Sequence, residues 1–196
     1  MIVISNPTSI INEIKTIHTL FENGLKLFHV RKPDYSEEEM KIFLSEINQE
    51  FRSQLALHSH HQLAIDFGIN RIHNPVRVQN SDRVENSNRI KVKFSTSTHS
   101  IEKFNGLSDV FDYAFLSPVF PSISKENYQS EINLFEALKS RTNFKTKLIA
   151  LGGISSDKIK ITLKKGFDDV ALLGTIWKSK NPIENFKLCQ QIVHSY

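Results

Sequence analysis

The amino-acid sequence predicts a compact (β/α)8 barrel, and two observations lead to this prediction. Eight short apolar or β-branched runs alternate with stretches whose apolar residues recur at helical spacing. Strands that alternate with helices form right-handed βαβ units and a parallel sheet. Eight strands favour a closed barrel, because an open flavodoxin-like sheet needs only about five. The 196 residues fit one domain, spanning residues 1–196.

The predicted strands are bounded by polar residues, glycine or proline, as buried strands usually are. In chain order they are Ile2–Ser5, Leu25–Arg31, Gln54–Ser59, Arg71–Asn74, Ile90–Ser95, Tyr113–Ser117, Lys147–Gly152 and Asp169–Gly174. The unit after the fourth strand is the weakest, because residues 76–88 are polar and poorly periodic. We therefore expect an irregular crossover there.

Amphipathic stripes mark the first two helices of the predicted barrel. The stripes consist of Ile10, Ile14, Ile17 and Phe21 in the first helix and of Met40, Phe43, Leu44 and Ile47 in the second. Ser36 followed by Glu39 predicts a capping box at the start of the second helix. Ser156 before Asp157 predicts the N-cap of a later helix.

Composition and charge exclude several classes of protein. Hydrophobic residues make up 39% and charged residues 23% of the chain, which is too apolar for a disordered chain and too polar for a membrane protein. We expect no signal peptide and no membrane span. The basic residues behind the net charge of +4 are dispersed, so we expect no nucleic-acid partner. The single cysteine, Cys189, is typical of a reducing compartment, and we expect a cytoplasmic protein.

In a parallel barrel, ligands bind where the strands end and the βα loops begin. The segments at these positions are His29–Lys32, His58–His61, His73-Asn74, Ser95–His99, Ser117–Lys125, Gly152-Gly153 and Gly174-Thr175. They are rich in basic, hydroxyl and glycine residues and almost lack carboxylates. This composition predicts recognition of anions, and phosphorylated small molecules are the partners that we expect.

Two glycine-containing turns predict a phosphate site. Gly152 and Gly153 follow the seventh predicted strand, and Leu173 and Gly174 end the eighth. Glycine lets a phosphate group approach backbone N–H groups, and the loops after strands seven and eight of a barrel commonly bind phosphate. The alternative is that these glycines serve only tight turns. Because the layout occurs on two consecutive units, we favour the phosphate site.

The loop after the sixth predicted strand offers further phosphate ligands. It carries Ser122 and Ser124 at alternate positions, followed by the ammonium group of Lys125. An extended backbone would place both hydroxyls on one side, with Lys125 able to reach a phosphate beside them. The alternative, a solvated surface loop, suits residues 126–130.

Two adjacent basic residues, Arg31 and Lys32, end the second predicted strand. The guanidinium group of Arg31 could bind a diphosphate through two parallel hydrogen bonds. A salt bridge with Asp34 or Glu37 at the rim explains the spacing equally well, so both interpretations stay open.

Histidines at the strand ends raise the hypothesis of a metal site. His58, His60 and His61 are clustered, and His73 is the next histidine along the chain. Alternation along a strand would direct His58 and His60 to the same side. Zinc sites usually take three protein ligands at characteristic spacing, and no carboxylate partner lies nearby. We therefore predict no metal site and expect His58 or His99 to hydrogen-bond a substrate.

Four motifs resemble those of thiamine-phosphate synthase and its TenI-like relatives, a family of small (β/α)8 barrels. Residues 117–125, Ser-Pro-Val-Phe-Pro-Ser-Ile-Ser-Lys, are similar to the family's G-P-[VI]-[FY]-P-T-x-T-K loop. Residues 150–154, Ala-Leu-Gly-Gly-Ile, are similar to its A-I-G-G-I segment. Residues 97–100 resemble its S-x-H-[ST] motif, and residues 70–73 resemble its D-G-V-H motif. The resemblance covers nearly the whole chain in the same order.

The resemblance implies a reaction that joins hydroxymethylpyrimidine diphosphate to thiazole phosphate, giving thiamine phosphate and pyrophosphate. It implies that the thiazole phosphate is held by Ser122, Ser124, Gly152, Leu173 and Gly174, and the diphosphate by the catalytic residues Arg31, Ser97 and Lys125. The complete predicted substrate-binding set is His29, Lys32, His58, His73, His99, Ser122, Ser124, Gly152, Gly153, Leu173 and Gly174. The family's reaction is dissociative, so it depends on groups that stabilise the departing pyrophosphate.

Departures from the family's motifs affect the Mg²⁺ that the resemblance implies as a cofactor. The family's Asn-Asp pair after strand three, whose aspartate binds Mg²⁺, is replaced by His58-Ser59. A second Mg²⁺-binding aspartate is also missing, because His73 is followed by Asn74-Pro75-Val76-Arg77. The family's Q-x-R-x-K motif reads His29-Val30-Arg31-Lys32-Pro33, with the lysine one residue early. We therefore expect a rebuilt diphosphate site and only weak dependence on Mg²⁺.

Two alternative functions stay open. A TenI-like thiazole tautomerase needs the thiazole phosphate and no Mg²⁺, but its catalytic histidine directly before Val-Phe-Pro is replaced here by Pro118. The other alternative is a non-catalytic barrel that binds a phosphorylated ligand. The sequence also leaves a homodimer open.

Overall fold

The computed structural model describes residues 1–74, 92–121 and 134–196 and has the predicted barrel fold. Its strands are β1 Ile2–Ile4, β2 Phe28–Val30, β3 Leu55–Leu57, β4 Arg71–His73, β5 Lys93–Thr98, β6 Phe111–Leu116, β7 Lys147–Ala150 and β8 Asp169–Leu172. Neighbours in chain order pair in parallel, and β8 pairs with β1 to close the barrel. The (β/α)8 prediction is therefore confirmed.

Each predicted strand overlaps an observed one, but β5 is displaced along the chain. It covers Lys93–Thr98 rather than the predicted Ile90–Ser95. Residues 95–98 continue the ladder with β6, in which Ser97 pairs with Phe115. Threonines at alternate positions suit a half-buried strand. Ser97 therefore lies near the end of a strand rather than in the following loop.

Helices surround the barrel in the described part of the chain. They are α1 Glu13–Glu22, α2 Glu37–Glu46, α3 Gln49–Arg52, α4 Ile101–Asn105, α5 Leu134–Ala137, α6 Ser156–Lys164, α7 Gly174–Trp177 and α8 Pro182–His194, with 3-10 helices at His61–Ala64 and Leu138–Ser140. The predicted capping box is present, because Ser36 and Glu39 each bind the other's backbone N–H. The N-cap of α6 is Ser155 rather than Ser156. Ile10 precedes α1 and is exposed, so the first apolar stripe is shorter than predicted.

Two further expectations concern the connections between strands. The crossover predicted to be irregular, residues 76–88, lies outside the described residues. Across the described ranges, no helix combines the length and the apolar character that a membrane span requires.

Side-chain alternation along the strands gives the barrel an inner face and an outer face. In β2, Phe28 and Val30 pack outward beneath the helices, whereas His29 lies between them in sequence and points inward. The inner apolar cluster consists of Ile2, Ile4, Tyr113, Phe115, Ile149 and Ala171. His29 and His73 are fully buried on the side of β2 to β5. The barrel interior is therefore apolar on one side and polar on the other.

Candidate active site

A cavity of about 330 Å³ opens at the carboxyl ends of the strands. Ile4, Phe115 and Ala171 of the inner cluster line it. Its polar lining from β2 to β6 comprises Arg31, His58, His73, Asn74, Ser97, His99 and Ser117, and its lining from β7 and β8 includes Gly152, Gly153, Leu173, Gly174 and Thr175. Because β2 to β5 and β7 to β8 lie on opposite sides of the barrel, the polar groups face the glycine turns across one cavity.

The turn after β7 needs glycine at both positions. Gly152 and Gly153 have φ values of +98° and +63°, a backbone region that L-residues with side chains rarely adopt. A Cβ atom on Gly152 would lie 2.8 Å from the Cα atom of Pro118, and one on Gly153 would overlap the carbonyl oxygen of Pro121. The segment 118–121 is thus packed directly on this turn, and Phe120 N–H donates to the Gly152 carbonyl at 3.1 Å.

The turn after β8 is tied to the turn after β7. The Thr175 hydroxyl donates a hydrogen bond to the carbonyl oxygen of Ile154. Asn185 in α8 donates to the Thr175 carbonyl at 3.1 Å, which anchors the turn from outside the barrel. Gly174 begins α7 directly after Leu173, so both residues lie at the cavity. These contacts hold the two turns in a fixed relative position.

Arg31 is positioned by the end of β1. The Ser5 hydroxyl donates to the Arg31 carbonyl at 3.0 Å and accepts from the Arg31 N–H at 2.8 Å. The rim salt bridge considered from the sequence is not formed, because Glu37 pairs with Lys41 at 2.9 Å. No carboxylate in the described residues forms an ion pair with Arg31. Its guanidinium group is therefore available to an anionic ligand in the cavity.

Hydroxyl and imidazole groups continue the lining on β4 and β5. Asn74 accepts hydrogen bonds from the Thr96 hydroxyl at 2.9 Å and from the Ser97 N–H at 3.0 Å. The Ser97 hydroxyl lies 2.9 Å from His73 Nε2. His99 Nδ1 lies 2.8 Å from the Ser117 carbonyl, so Nδ1 carries the proton and Nε2 is the remaining nitrogen of the ring.

Three histidines from adjacent strands converge beneath this lining, and we refer to His29, His58 and His73 as the histidine cluster. His29 Nδ1 lies 2.8 Å from His58 Nε2, and the rings of His58 and His73 stack with centroids 4.1 Å apart. On their far sides, His29 Nε2 lies 2.6 Å from the Tyr113 hydroxyl, and His73 Nδ1 lies 2.8 Å from Ser95 Oγ. His58 and His73 line the cavity, whereas His29 lies below it.

Burial keeps the histidine cluster uncharged. Loss of hydration lowers the pKa of His73 to about 3 and holds the pKa values of His29 and His58 well below their usual range. The charges of neighbouring arginines lower them further, with Arg31 acting on His58 and His73. Burial also raises the pKa of Tyr113 to about 12, so its hydroxyl stays protonated. At neutral pH the cluster therefore presents three neutral imidazoles.

Because the three imidazoles are buried and neutral, we expect the folded protein to lose stability in acid. Below pH 6.5 the unfolded chain protonates His73, but the folded chain does so only near pH 3. The unfolded state then binds more protons, so the free energy of unfolding falls as the pH falls. For His73 alone the loss is about 2 kcal/mol at pH 5. Urea unfolding in a chelator at pH 5 and pH 7.5 measures it, and an equal pH dependence in His73→Asn would contradict the assignment.

Lys32 does not line the cavity, which corrects its predicted role as a substrate ligand. Its Nζ atom lies 2.5 Å from Glu13 Oε2 and 3.1 Å from the Thr8 carbonyl, beneath α1. The ammonium group also lies over the rings of Tyr35 and Phe43. The physical reason is alternation: Arg31 continues the inward face of β2, so the next side chain points outward into the layer between barrel and helices.

The clustered histidines of the sequence separate in the structure. His58 follows the last residue of β3 and stays on the inner face, but His60 has φ of +52° and its Nε2 lies 2.8 Å from the Tyr35 carbonyl. His61 begins a 3-10 helix. The prediction that His58 and His60 share a side is therefore wrong, because the strand ends before both residues. Their place beside His58 is taken by His29 and His73.

Most predicted site residues meet at the cavity, but not all. Those that line it are Arg31, His58, His73, Ser97, His99, Gly152, Gly153, Leu173 and Gly174. His29 lies below the cavity and contacts His58, which lines it. Ser122, Ser124 and Lys125 lie outside the described residues. Tyr113 was missed, although the alternation that places Phe115 inside the barrel also places Tyr113 there. Ser95 belongs to the predicted strand-end segment 95–99, but no individual role was predicted for it.

A family model, curated proteins and solved structures that are similar to this chain all point to the same family. A family model described as thiamine monophosphate synthase matches residues 1–176. A thiamine-phosphate synthase from Caldicellulosiruptor saccharolyticus is 23% identical over 189 residues, covering 94% of this chain and 86% of that protein. One from Rhizobium etli is 25% identical over 178 residues, covering 88% and 87%. The crystal structure of a thiamine phosphate pyrophosphorylase from Bacteroides thetaiotaomicron matches with a TM-score of 0.75 and 28% identity, covering 99% and 97%. The resemblance inferred from the motifs is confirmed.

Proposed function

Because the chain belongs to the thiamine monophosphate synthase family, we propose that it joins hydroxymethylpyrimidine diphosphate to thiazole phosphate, releasing pyrophosphate. One observation carries the proposal: the cavity has two ends suited to anions. The glycine turns of β7 and β8 lie at one end, and the unpaired guanidinium group of Arg31 lies on the other side among the described residues. Two phosphorylated substrates can therefore meet over the same apolar lining.

The end formed by β7 and β8 holds the thiazole phosphate in this proposal. Gly152, Gly153 and Gly174 have no side chains to keep a phosphate away from the backbone N–H groups. The hydrogen bond from Thr175 to Ile154 fixes the two turns before the ligand binds. Binding therefore costs little conformational entropy in these turns. Leu173 adds an apolar surface beside them.

The end formed by β2 to β5 holds the diphosphate. The reaction breaks the C–O bond between the pyrimidine methylene and the diphosphate, whose oxygen leaves with the bonding electrons. The lone pair of the thiazole nitrogen captures the resulting cation and forms the new C–N bond. No proton is transferred, so the protein's task is to stabilise the negative charge of the leaving group. Ser5 holds the backbone of Arg31, and the Arg31 side chain and the Ser97 hydroxyl line this side of the cavity, where both groups can donate to the leaving group.

The described lining does not fit the Mg²⁺ that the family resemblance implies. Mg²⁺ is bound through oxygen atoms, usually including one or two carboxylates. Among the described residues that line the cavity, the polar groups are imidazole, hydroxyl, amide and guanidinium, and none is a carboxylate. In this proposal the described residues of the cavity, rather than Mg²⁺, stabilise the leaving group.

The lack of carboxylates predicts that Mg²⁺ has little effect on turnover. Enzyme treated with EDTA is expected to gain no more than a few-fold in rate when Mg²⁺ is added, since no described group in the cavity prefers this ion. Pyrophosphate release measured across a Mg²⁺ titration checks this expectation. Full inactivation by EDTA that Mg²⁺ alone restores would contradict it.

Replacement of Arg31 separates the two ends of the cavity. Arg31→Ala removes a charge-assisted contact worth about 1.5–3 kcal/mol, so kcat/KM for the pyrimidine diphosphate is expected to fall by about 10- to 150-fold. Binding of thiazole phosphate, measured by calorimetry, is expected to stay within about 2-fold, because that ligand lies at the other end. Lys160→Ala removes an exposed cation from α6 and serves as the matched control. Equal losses in both variants would contradict the assignment.

A coupled assay with both substrates tests the proposed function against its alternatives. Thiamine phosphate detected by mass spectrometry, with an equal amount of pyrophosphate, supports the synthase. Isomerisation of the thiazole without the diphosphate would indicate a tautomerase, and binding without either reaction would indicate a ligand-binding barrel. The tautomerase is the less favoured alternative, because Pro118 occupies the position of its catalytic histidine.

A further inference from the structure

The histidine cluster has a geometry that ordinary hydrogen bonding to a substrate does not require. His29 lies within β2, His58 directly follows β3 and His73 ends β4, and these are consecutive strands of the barrel. Each ring offers one nitrogen, and these three atoms all lie within 4.8 Å of one another. We propose that His29, His58 and His73 bind one divalent transition-metal ion of the zinc class, with an open position that faces the cavity.

The hydrogen bonds behind the cluster support this assignment. In histidine metal sites, the nitrogen that does not bind the metal usually bonds to another protein group, which fixes the orientation of the ring. His29 Nε2 meets the Tyr113 hydroxyl at 2.6 Å, and His73 Nδ1 meets Ser95 Oγ at 2.8 Å. These contacts leave His29 Nδ1 and His73 Nε2 for a metal ion, which would replace their present contacts with His58 Nε2 at 2.8 Å and with the Ser97 hydroxyl at 2.9 Å. Both rings are therefore already oriented for a shared ligand.

The chemistry of the donors selects the class of ion. All three donors are imidazole nitrogens, which are the commonest metal ligands in proteins. Imidazole suits zinc and its neighbours in the transition series, whereas Mg²⁺ and Ca²⁺ prefer oxygen ligands. Two nitrogens bound at about 2.05 Å in tetrahedral geometry lie roughly 3.3 Å apart. His29 Nδ1 and His58 Nε2, now 2.8 Å apart, would separate by about 0.5 Å on binding.

The surroundings indicate what occupies the open position. His58 and His73 line the cavity beside Arg31 and Ser97, and three protein ligands with an open fourth position are typical of catalytic rather than structural zinc. The charge of Arg31 disfavours a cation nearby, and no described carboxylate in the lining offsets it. An anionic ligand oxygen would complete the coordination and balance the charge. If the proposed function holds, that ligand is the diphosphate, so this part of the inference rests on it.

Metal analysis tests the site without any assay of turnover. Protein dialysed against Zn²⁺ and then against metal-free buffer is expected to retain one ion per chain, and Co²⁺ is expected to give the strong visible absorption of four-coordinate cobalt. His58→Asn should weaken Zn²⁺ binding by more than about 100-fold, since loss of a ligand should exceed the 10- to 100-fold cost of losing a group behind one. His58 is only half-buried, so this variant is the least disruptive of the three.

A matched control and a folding check make the result decisive. His194→Asn removes an exposed histidine from α8 and is expected to leave Zn²⁺ binding unchanged. Circular dichroism shows whether each variant is folded. If a variant does not fold, the cobalt spectrum of the unsubstituted protein still tests the proposed site. Absence of stoichiometric binding, or equal binding in His58→Asn, would overturn the inference. Metal binding without turnover would count against the proposed function alone, and turnover without metal binding would count against this site alone.

Discussion

Lys32→Met is expected to lower the free energy of unfolding by about 3–5 kcal/mol, the usual cost of removing one partner from a buried ion pair. Lys32 and Glu13 are 0% and 4% exposed, and their charged atoms are 2.5 Å apart. Burial lowers the pKa of Lys32 and raises that of Glu13, and the charge of each partner opposes the shift of the other. Without the ammonium group, the Glu13 carboxylate is left unpaired beneath α1. Urea unfolding at neutral pH measures the loss.

Two controls separate this effect from a simple loss of charge. The double variant Glu13→Leu with Lys32→Met is expected to recover most of the stability, because an apolar pair leaves no buried charge. Lys41→Met breaks the ion pair with Glu37 in α2, whose partners are 43% and 47% exposed, and should leave the unfolding midpoint unchanged. A single Lys32→Met variant as stable as Lys41→Met would contradict the buried pair.

Gly153→Ala is expected to reduce the affinity for thiazole phosphate by about 100-fold or more. The new Cβ atom would overlap the Pro121 carbonyl oxygen and lie 2.7 Å from Phe120 Cβ, so the segment 118–121 must move. A loss of this size corresponds to about 2.7 kcal/mol, within the range expected when several hydrogen bonds to a charged group are misplaced. Calorimetric titration of the variant measures the change directly.

Gly68→Ala is the matched control for backbone strain. Gly68 has φ of +67°, almost the same as Gly153 at +63°, but a Cβ atom there would have no neighbour within 4 Å. Both variants carry the strain of alanine at positive φ, about 1 kcal/mol or more. Only Gly153→Ala carries the clash at the cavity. Equal affinity for thiazole phosphate in the two variants would show that the turn after β7 does not bind the ligand.

The fold could be predicted from the sequence because its signals are local. Short apolar or β-branched runs, helical stripes and the capping box at Ser36 each depend on residues close together in the chain. The barrel prediction needed only their order and number. The boundary of β5 could not be predicted, because serine and threonine at 95–98 suit either a strand or a loop. Pairing of these residues with β6 places them in the strand.

The predictions that were wrong at the site concern contacts between residues far apart in the sequence. Glu13 is 19 positions from Lys32, whereas Asp34 and Glu37 are nearby, so local spacing pointed to the wrong partners. The same holds for the histidine cluster, whose members come from three strands. Their meeting depends on the register of β2, β3 and β4, which no motif encodes.

Calorimetric titration of the protein with thiazole phosphate tests most directly whether the ends of β7 and β8 form a phosphate site. One ligand is expected to bind per chain, with affinity retained in Gly68→Ala and Arg31→Ala and reduced in Gly153→Ala. Absence of binding to the unsubstituted protein, or undiminished binding to Gly153→Ala, would contradict the account.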